Sequence, residues 1–105
     1  MEELLKILSE TQIPFAYHHF AEGESPEPPF ICYLLSGSNN FSADGKVYYK
    51  INEVHIELYI DLKDLAVEQQ LEDVLDEQGI FYKKSLTWIE SEKLYEVLYT
   101  FEMEV

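Results

Sequence analysis

Residues 54–61 alternate apolar and polar side chains without a break, and this pattern constrains the fold more than any other part of the chain. Period-two alternation is typical of a β-strand with one face on a core and the other face turned away from it. The side chains predicted to face the core are Val54, Ile56, Leu58 and Ile60, and those predicted to face away are His55, Glu57, Tyr59 and Asp61. Such a strand is typical of an antiparallel sheet that is covered on one side only.

The C-terminal part of the chain repeats this alternation. Residues 94–105 place Tyr95, Val97, Tyr99, Phe101 and Met103 on one face and Glu96, Leu98, Thr100, Glu102 and Glu104 on the other. A turn at 90–93 joins this predicted strand to another at 80–89.

Strands are also predicted in the N-terminal half, although their patterns are shorter. The segments are 15–20 (a first strand or an extended lead-in), 30–36 and 47–51. A turn and loop are predicted over 37–45, because this stretch holds Asn39-Asn40, Asp44-Gly45 and Gly37.

Two helices complete the prediction. The first covers residues 2–12 and ends before Pro14. Asp64 is a suitable N-cap for the second, and Gly79 lies where a left-handed residue ends a helix. The residues that follow its helical spacing are Val67, Leu71, Val74, Leu75 and Gln78, and its predicted solvent side comprises Glu68, Glu72, Asp73 and Asp76. Together these elements predict a single α+β domain over 1–105, with a mostly antiparallel sheet of about four to six strands and two helices on one face.

The charge of the chain excludes several classes of function. It has 21 Asp and Glu residues, 7 lysines, no arginine and a formal net charge of -14. Unaided binding to nucleic acid or to an anionic membrane needs cationic side chains that displace counterions. There is no apolar run near the roughly 20 residues that span a bilayer and no basic, apolar leader, so we expect an intracellular protein.

No pattern of residues predicts a catalytic, cofactor or metal site. Cys32 is the only cysteine and lies in an apolar stretch, which predicts a reduced, buried side chain. His18 and His19 are adjacent, so on a strand they would point to opposite faces, and His55 is remote from both. Carboxylates that share a strand face, such as Glu102 and Glu104, arise by chance in so acidic a chain. An enzyme is therefore not predicted.

Aromatic residues in and after the predicted loop indicate a protein interface. Phe41 lies among polar residues, and Tyr48 and Tyr49 are neighbours, so a strand would leave one of them exposed. The alternative is that this segment packs on its own domain. The residues predicted to form the interface are Asn39, Asn40, Phe41, Lys46, Val47, Tyr48 and Tyr49.

Five segments of the chain resemble a family of small prophage proteins. They are residues 14–20, 41–51, 56–61, 71–76 and 88–99, and they extend over nearly the whole chain. Members are encoded in the head–tail joining region of long, flexible-tailed phages of Gram-positive hosts. The resemblance implies a tail terminator or tail-to-head joining protein with a tail-terminator-like fold. Such a protein assembles in the host cytoplasm and resides at the head–tail junction of the virion.

The resemblance also implies partners. We expect a homo-oligomeric ring of six subunits on assembly, even if the isolated chain is a monomer, with contacts to the major tail protein and to neck or connector proteins. DNA would pass through the ring without specific binding, no membrane would be involved, and no cofactor is implied. Two alternatives stay open: an acidic DNA-mimic inhibitor encoded by a prophage, and a small enzyme of the same fold.

Overall fold

The computed structural model describes the backbone of residues 2–21, 23–43, 46–61 and 64–104, and the side chains of these residues except 36–51 and 104. The elements in chain order are α1 (Glu2–Glu10), β1 (Phe15–Tyr17), β2 (Phe30–Ala43), β3 (Lys46–Ile60), α2 (Leu65–Glu77), β4 (Lys83–Ile89) and β5 (Leu94–Glu104). None of the helices in these ranges is long and apolar enough to cross a membrane.

The strands form one five-stranded mixed sheet in the order β1-β2-β3-β5-β4. Short β1 runs parallel to β2, whereas β2 with β3, β3 with β5 and β5 with β4 are antiparallel. The prediction of an α+β fold with a mostly antiparallel sheet is confirmed.

One hydrophobic core lies between the sheet and both helices. Leu4, Ile7 and Leu8 of α1 and Leu71, Val74 and Leu75 of α2 belong to the same buried cluster as the apolar residues of the central strands. In the sheet, Ile56 lies opposite Tyr33 on one side and Tyr99 on the other, so three strands present their large side chains to the same face. The predicted core face of β3 is therefore confirmed, as is the packing of both helices on one face of the sheet. In β5 the face that meets the core is the one that carries Val97, Tyr99 and Phe101.

Helix α2 begins and ends as its sequence predicts. Asp64 has extended backbone angles and accepts a hydrogen bond from the Ala66 amide at 2.9 Å, as an N-cap residue does. Gly79, with a φ of 69°, adopts the left-handed conformation that ends the helix.

The predicted loop over residues 37–45 is wrong for residues 37–43, because β2 continues to Ala43 and pairs with β3 on both sides of a register shift. Residues 44–45 lie outside the described residues. The register shifts between Leu35 and Ser38, so Gly37 lies at an irregularity of the kind that glycine favours in a strand. Pairing with the opposite strand thus outweighs the weak strand propensity of the glycine and asparagine residues. Likewise β3 is one strand where two were predicted, and β4 begins at Lys83 rather than at residue 80.

The predicted solvent side of α2 is wrong at Glu68. This residue is only 1% exposed, and its carboxylate forms an ion pair with Lys84 Nζ at 2.9 Å. Glu68 is seven residues before Leu75, so both residues lie on nearly the same face of the helix. The lysine on β4 compensates for burial of the charge.

The histidine prediction also needs correction. Strand β1 ends at Tyr17, and His18 has a φ of 64°, so the chain turns and the two rings do not point to opposite faces. Instead His18 Nδ1 lies 2.9 Å from His19 Nδ1.

Candidate functional site

The strands β2 and β3 extend past the rest of the sheet as a two-stranded ribbon, which we call the arm. It comprises residues 38–43 and 46–50, whose cross-strand pairs run from the base of the ribbon to Ala43 opposite Lys46. The pairing of β3 with β5 stops at Ile51, and β1 pairs only with residues 31–33 of β2. The radius of gyration is 15.0 Å, against about 13 Å for a compact domain of this length. The arm makes the molecule elongated.

The backbones of all seven residues predicted to form an interface lie in the arm. Asn39 pairs with Ile51, Asn40 with Lys50 and Phe41 with Tyr49. Lys46 and Val47 pair with Ala43 and Ser42, and Tyr48 lies in β3 next to a register shift. Their side chains lie outside the described residues, so the interface stays a prediction.

The sheet face that points away from the helices, here called the open face, carries the charged residues of the central strands. Within 52–60 of β3 and 94–103 of β5, every charged side chain belongs to this face: Glu53, Glu57, Glu96 and Glu102. The register places Glu53 directly opposite Glu102, and Tyr59 opposite Glu96. The central strands therefore make the open face acidic, and Lys83 of β4, which lies opposite Thr100, adds one cation at its edge.

One end of the open face is covered by aromatic residues. The Phe30 ring stacks on the Tyr59 ring with their centroids 5.1 Å apart, and the Phe20 ring meets Phe30 edge-on at 5.6 Å. The Tyr59 hydroxyl donates to Glu96 at 3.2 Å and lies 3.4 Å from Glu57 Oε1. The two phenylalanine rings therefore shield the Tyr59 hydroxyl and the carboxylates of Glu57 and Glu96 partly from water.

Burial changes the acid–base properties of this cluster. It raises the pKa of Glu57, and the nearby charge of Glu96 raises that pKa further. Burial raises the pKa of Tyr59 too, with Glu57 and Glu96 adding to the effect. The pKa of Cys32 is raised to about 11, first by burial and then by the same two carboxylates. At neutral pH the thiol is protonated, which opposes a nucleophilic role for this cysteine.

We expect the substitution Glu57→Gln to stabilise the protein at neutral pH by about 0.5–1 kcal/mol. The folded-state pKa of Glu57 is raised, so the carboxyl favours folding when protonated, and this contribution is lost as pH rises through the folded pKa. Denaturant unfolding at several pH values measures the effect.

The control is Glu92→Gln, which removes the same charge from an exposed position in the turn between β4 and β5. The gain from Glu57→Gln should exceed that of the control near pH 7 and disappear in acid, where the wild-type carboxyl is already neutral. An advantage that persisted at low pH would contradict this explanation.

In the described ranges, the three histidines do not combine with other ligands into a metal site. His55 Nε2 lies 2.8 Å from Glu53 Oε1, and the His18 and His19 rings contact each other. Among the side chains that the structure describes, no group of three or more His, Cys, Asp and Glu residues could hold a metal ion.

A cleft of about 550 Å³ lies where α2 turns into β4. Its lining combines apolar Ile80 and Phe101 with charged Glu53, Lys83 and Glu102. Phe81 also lines it and is 95% exposed, more than any other large apolar residue in the described part of the chain. Phe81 was not predicted from the sequence, because residues 80–89 were predicted as one strand whose faces were not assigned.

The cluster around Lys84 was not predicted from the sequence either. The Lys84 ammonium group contacts Glu72 Oε2 at 2.6 Å as well as Glu68, and the Tyr99 hydroxyl donates to Glu72 at 2.7 Å. The sequence feature that could have revealed this site is the seven-residue spacing from Glu68 to Leu75, which places Glu68 on the buried face of α2.

Comparisons with known proteins support the architecture. No protein-family model matches the chain, and no curated protein does. A chain in the solved structure titled "Virion of native gene transfer agent (GTA) particle" superposes with a TM-score of 0.58. The two chains share a fold. The superposition covers 94% of this chain and 83% of that chain at 10% sequence identity, so the relation lies in the fold rather than in individual residues.

Proposed function

We propose that this chain is a structural protein of a tailed phage or phage-like particle, in which residues 1–105 form a single tail-terminator-like domain. The observation that carries the proposal is the fold it shares, over 94% of its length, with a chain of a gene transfer agent virion. The chain resembles small prophage proteins of the head–tail joining region, and this favours a position at the head–tail junction. There the protein caps the tail tube and joins it to the neck.

The acidic open face suits a ring through which DNA travels. Glu53, Glu57, Glu96 and Glu102 lie on one side of two adjacent strands and repel phosphate groups. A channel lined by this face would let DNA pass without retaining it. The opposite face is occupied by the core and both helices, so it cannot serve as the lining.

The arm is long enough to contact a neighbouring protein in an assembly. A ribbon of residues 38–43 and 46–50 extends from the sheet by about 20 Å, given the rise per residue of a β-strand. We propose that its predicted interface residues contact a neighbouring subunit of a six-membered ring, or the major tail protein, while other surfaces meet the neck proteins. The protein would then be made in the host cytoplasm and carried in the virion.

The decisive experiment removes the gene from a phage or prophage that encodes the protein. Electron micrographs should show tails of irregular length that are not attached to heads, and expression in trans should restore joined particles. Normal, attached tails in the deletion strain would refute the proposal. A DNA-mimic inhibitor would leave tails normal and would instead capture a basic host protein whose binding weakens steeply with salt.

We expect self-association of the purified protein to strengthen as salt rises. Each subunit carries a formal charge of -14, so subunits repel each other over about 10 Å at 0.1 M ionic strength and over shorter distances at higher salt. Sedimentation velocity at low and high ionic strength measures the trend. Association that weakened with added salt would show that attraction between opposite charges, rather than apolar contact, holds the subunits together.

A further inference from the structure

Two strand edges in this molecule have no partner strand in the described part of the chain. The outer edge of β4 (Lys83–Ile89) is one, because β4 pairs only with β5. The outer edge of β2 beyond Tyr33 is the other, because β1 pairs with residues 31–33 alone. Such edges present backbone N–H and C=O groups that can pair with another chain.

Neither edge is acidic, although the chain is. The 14 residues of β2 contain no charged side chain, and the seven residues of β4 contain two lysines and no acid. A second copy, itself highly negative, therefore meets no repulsion from these two strands. Proteins often protect a free edge by making it short or charged. The outer edge of β2 has neither protection.

The β4 edge also carries exposed apolar surface. Leu86 is 49% exposed and Trp88 is 43% exposed. Both lie on the helix side of the sheet, because they pair with Val97 and Tyr95 of β5. The Trp88 ring packs on Tyr95 with centroids 4.7 Å apart, and its Nε1 donates to Glu90 at 2.6 Å. The tryptophan is thus held in place while a large part of its surface faces outward, as interface residues often are.

We propose that the outer edge of β4 pairs with the outer edge of β2 in a second copy of this chain. The two edges lie at opposite sides of the sheet, so the contact is head-to-tail and each subunit offers one edge of each kind. Repetition of a head-to-tail contact closes into a ring or extends into a filament. This pairing would be the contact between subunits of the ring proposed above, and closure into a ring rests on that proposed function.

Trp88 provides a direct probe, since it is the only tryptophan in the chain. We expect its fluorescence emission to shift to shorter wavelength as association increases with concentration and salt. Hydrogen–deuterium exchange on the same samples should show amides of residues 34–43 and 83–89 becoming protected together. Leu86→Lys should remove both effects and weaken the association constant by about tenfold or more.

The matched control is Leu5→Lys, which makes the same change at an apolar residue that is 37% exposed. Leu5 belongs to α1, not to either of the two edge strands. It should associate as the wild type does. Protection of β4 without β2 would overturn the inference, as would association of Leu86→Lys at wild-type strength or a wild-type chain that remains monomeric throughout. The tail phenotype of the gene deletion judges the proposed function separately, so the two can fail independently.

Discussion

Replacing Lys84 with methionine is expected to destabilise the folded protein by about 2–4 kcal/mol. The Lys84 ammonium group lies 2.9 Å from the carboxylate of Glu68, whose side chain is 2% exposed. Removal of one partner leaves a charge in a place that water scarcely reaches, and this costs more than the pair itself contributes. Lys84 is itself partly exposed, which is why we expect a loss that extends below the usual range of about 3–5 kcal/mol for breaking a buried ion pair. Denaturant or thermal unfolding measures the loss.

A matched control separates burial from the loss of a lysine. Lys93 also forms an ion pair with a glutamate, Glu90, but both side chains are largely exposed. Lys93→Met should therefore have a much smaller effect than Lys84→Met. The double variant Lys84→Met with Glu68→Gln should recover part of the stability, because the more deeply buried carboxylate is then neutral, while Glu72 keeps the hydrogen bond from Tyr99. Equal effects of the two lysine variants would contradict this interpretation.

The pH dependence of stability gives a second measurement of the same cluster. Burial alone would raise the pKa of Glu72, but hydrogen bonds from Lys84 and Tyr99 lower it overall. Its contribution is therefore present above its ordinary value of 4.5 and is lost as pH falls through the folded pKa. Burial would lower the pKa of Lys84, but bonds to Glu72 and Glu68 raise it overall. That contribution is present below 10.5 and is lost as pH rises through the folded pKa. Lys84→Met should flatten both limbs of the stability profile.

The parts of the fold that the sequence predicts well are those whose pattern is local. Alternation in β3 and β5 is visible because one face of each strand meets the core and the other does not. Helix α2 is predictable because Asp64 and Gly79 mark its ends with side-chain and backbone features that few other residues supply. In both cases the cause of the structure lies within the segment itself.

The parts that the sequence does not predict depend on contacts between distant segments. Gly37, Asn39 and Asn40 disfavour a strand locally, and only pairing with the strand that follows makes them part of β2. Glu68 is buried because Lys84 approaches it from another element. The open face was predicted as the side of β3 away from the core. The closeness of Tyr59 to Glu96 follows instead from the register of β3 with β5.

Shortening the arm is expected to abolish joining of tails to heads while leaving the domain folded. The change replaces residues 41–49 with Asn-Gly, which links Asn40 to Lys50, two residues that already pair across the strands. A two-residue Asn-Gly connection is a favoured hairpin turn. The replaced segment lies in the arm, where β3 pairs with β2 and no longer with β5, so we expect a change in stability of about 1 kcal/mol or less. Complementation of a deletion strain, followed by electron microscopy, measures assembly, and circular dichroism measures folding.

The control keeps the arm at full length but gives it the same turn sequence. Asp44→Asn creates Asn-Gly at residues 44–45, the two positions between β2 and β3, and should support normal assembly. If the shortened variant also joined heads and tails normally, the arm would not be an assembly element, and the aromatic residues within it would not form the proposed interface. If only the shortened variant fails while its circular dichroism spectrum and unfolding midpoint match those of the control, the defect lies in contact between subunits or with the tail. That result would separate the reach of the arm from the stability of the domain that carries it.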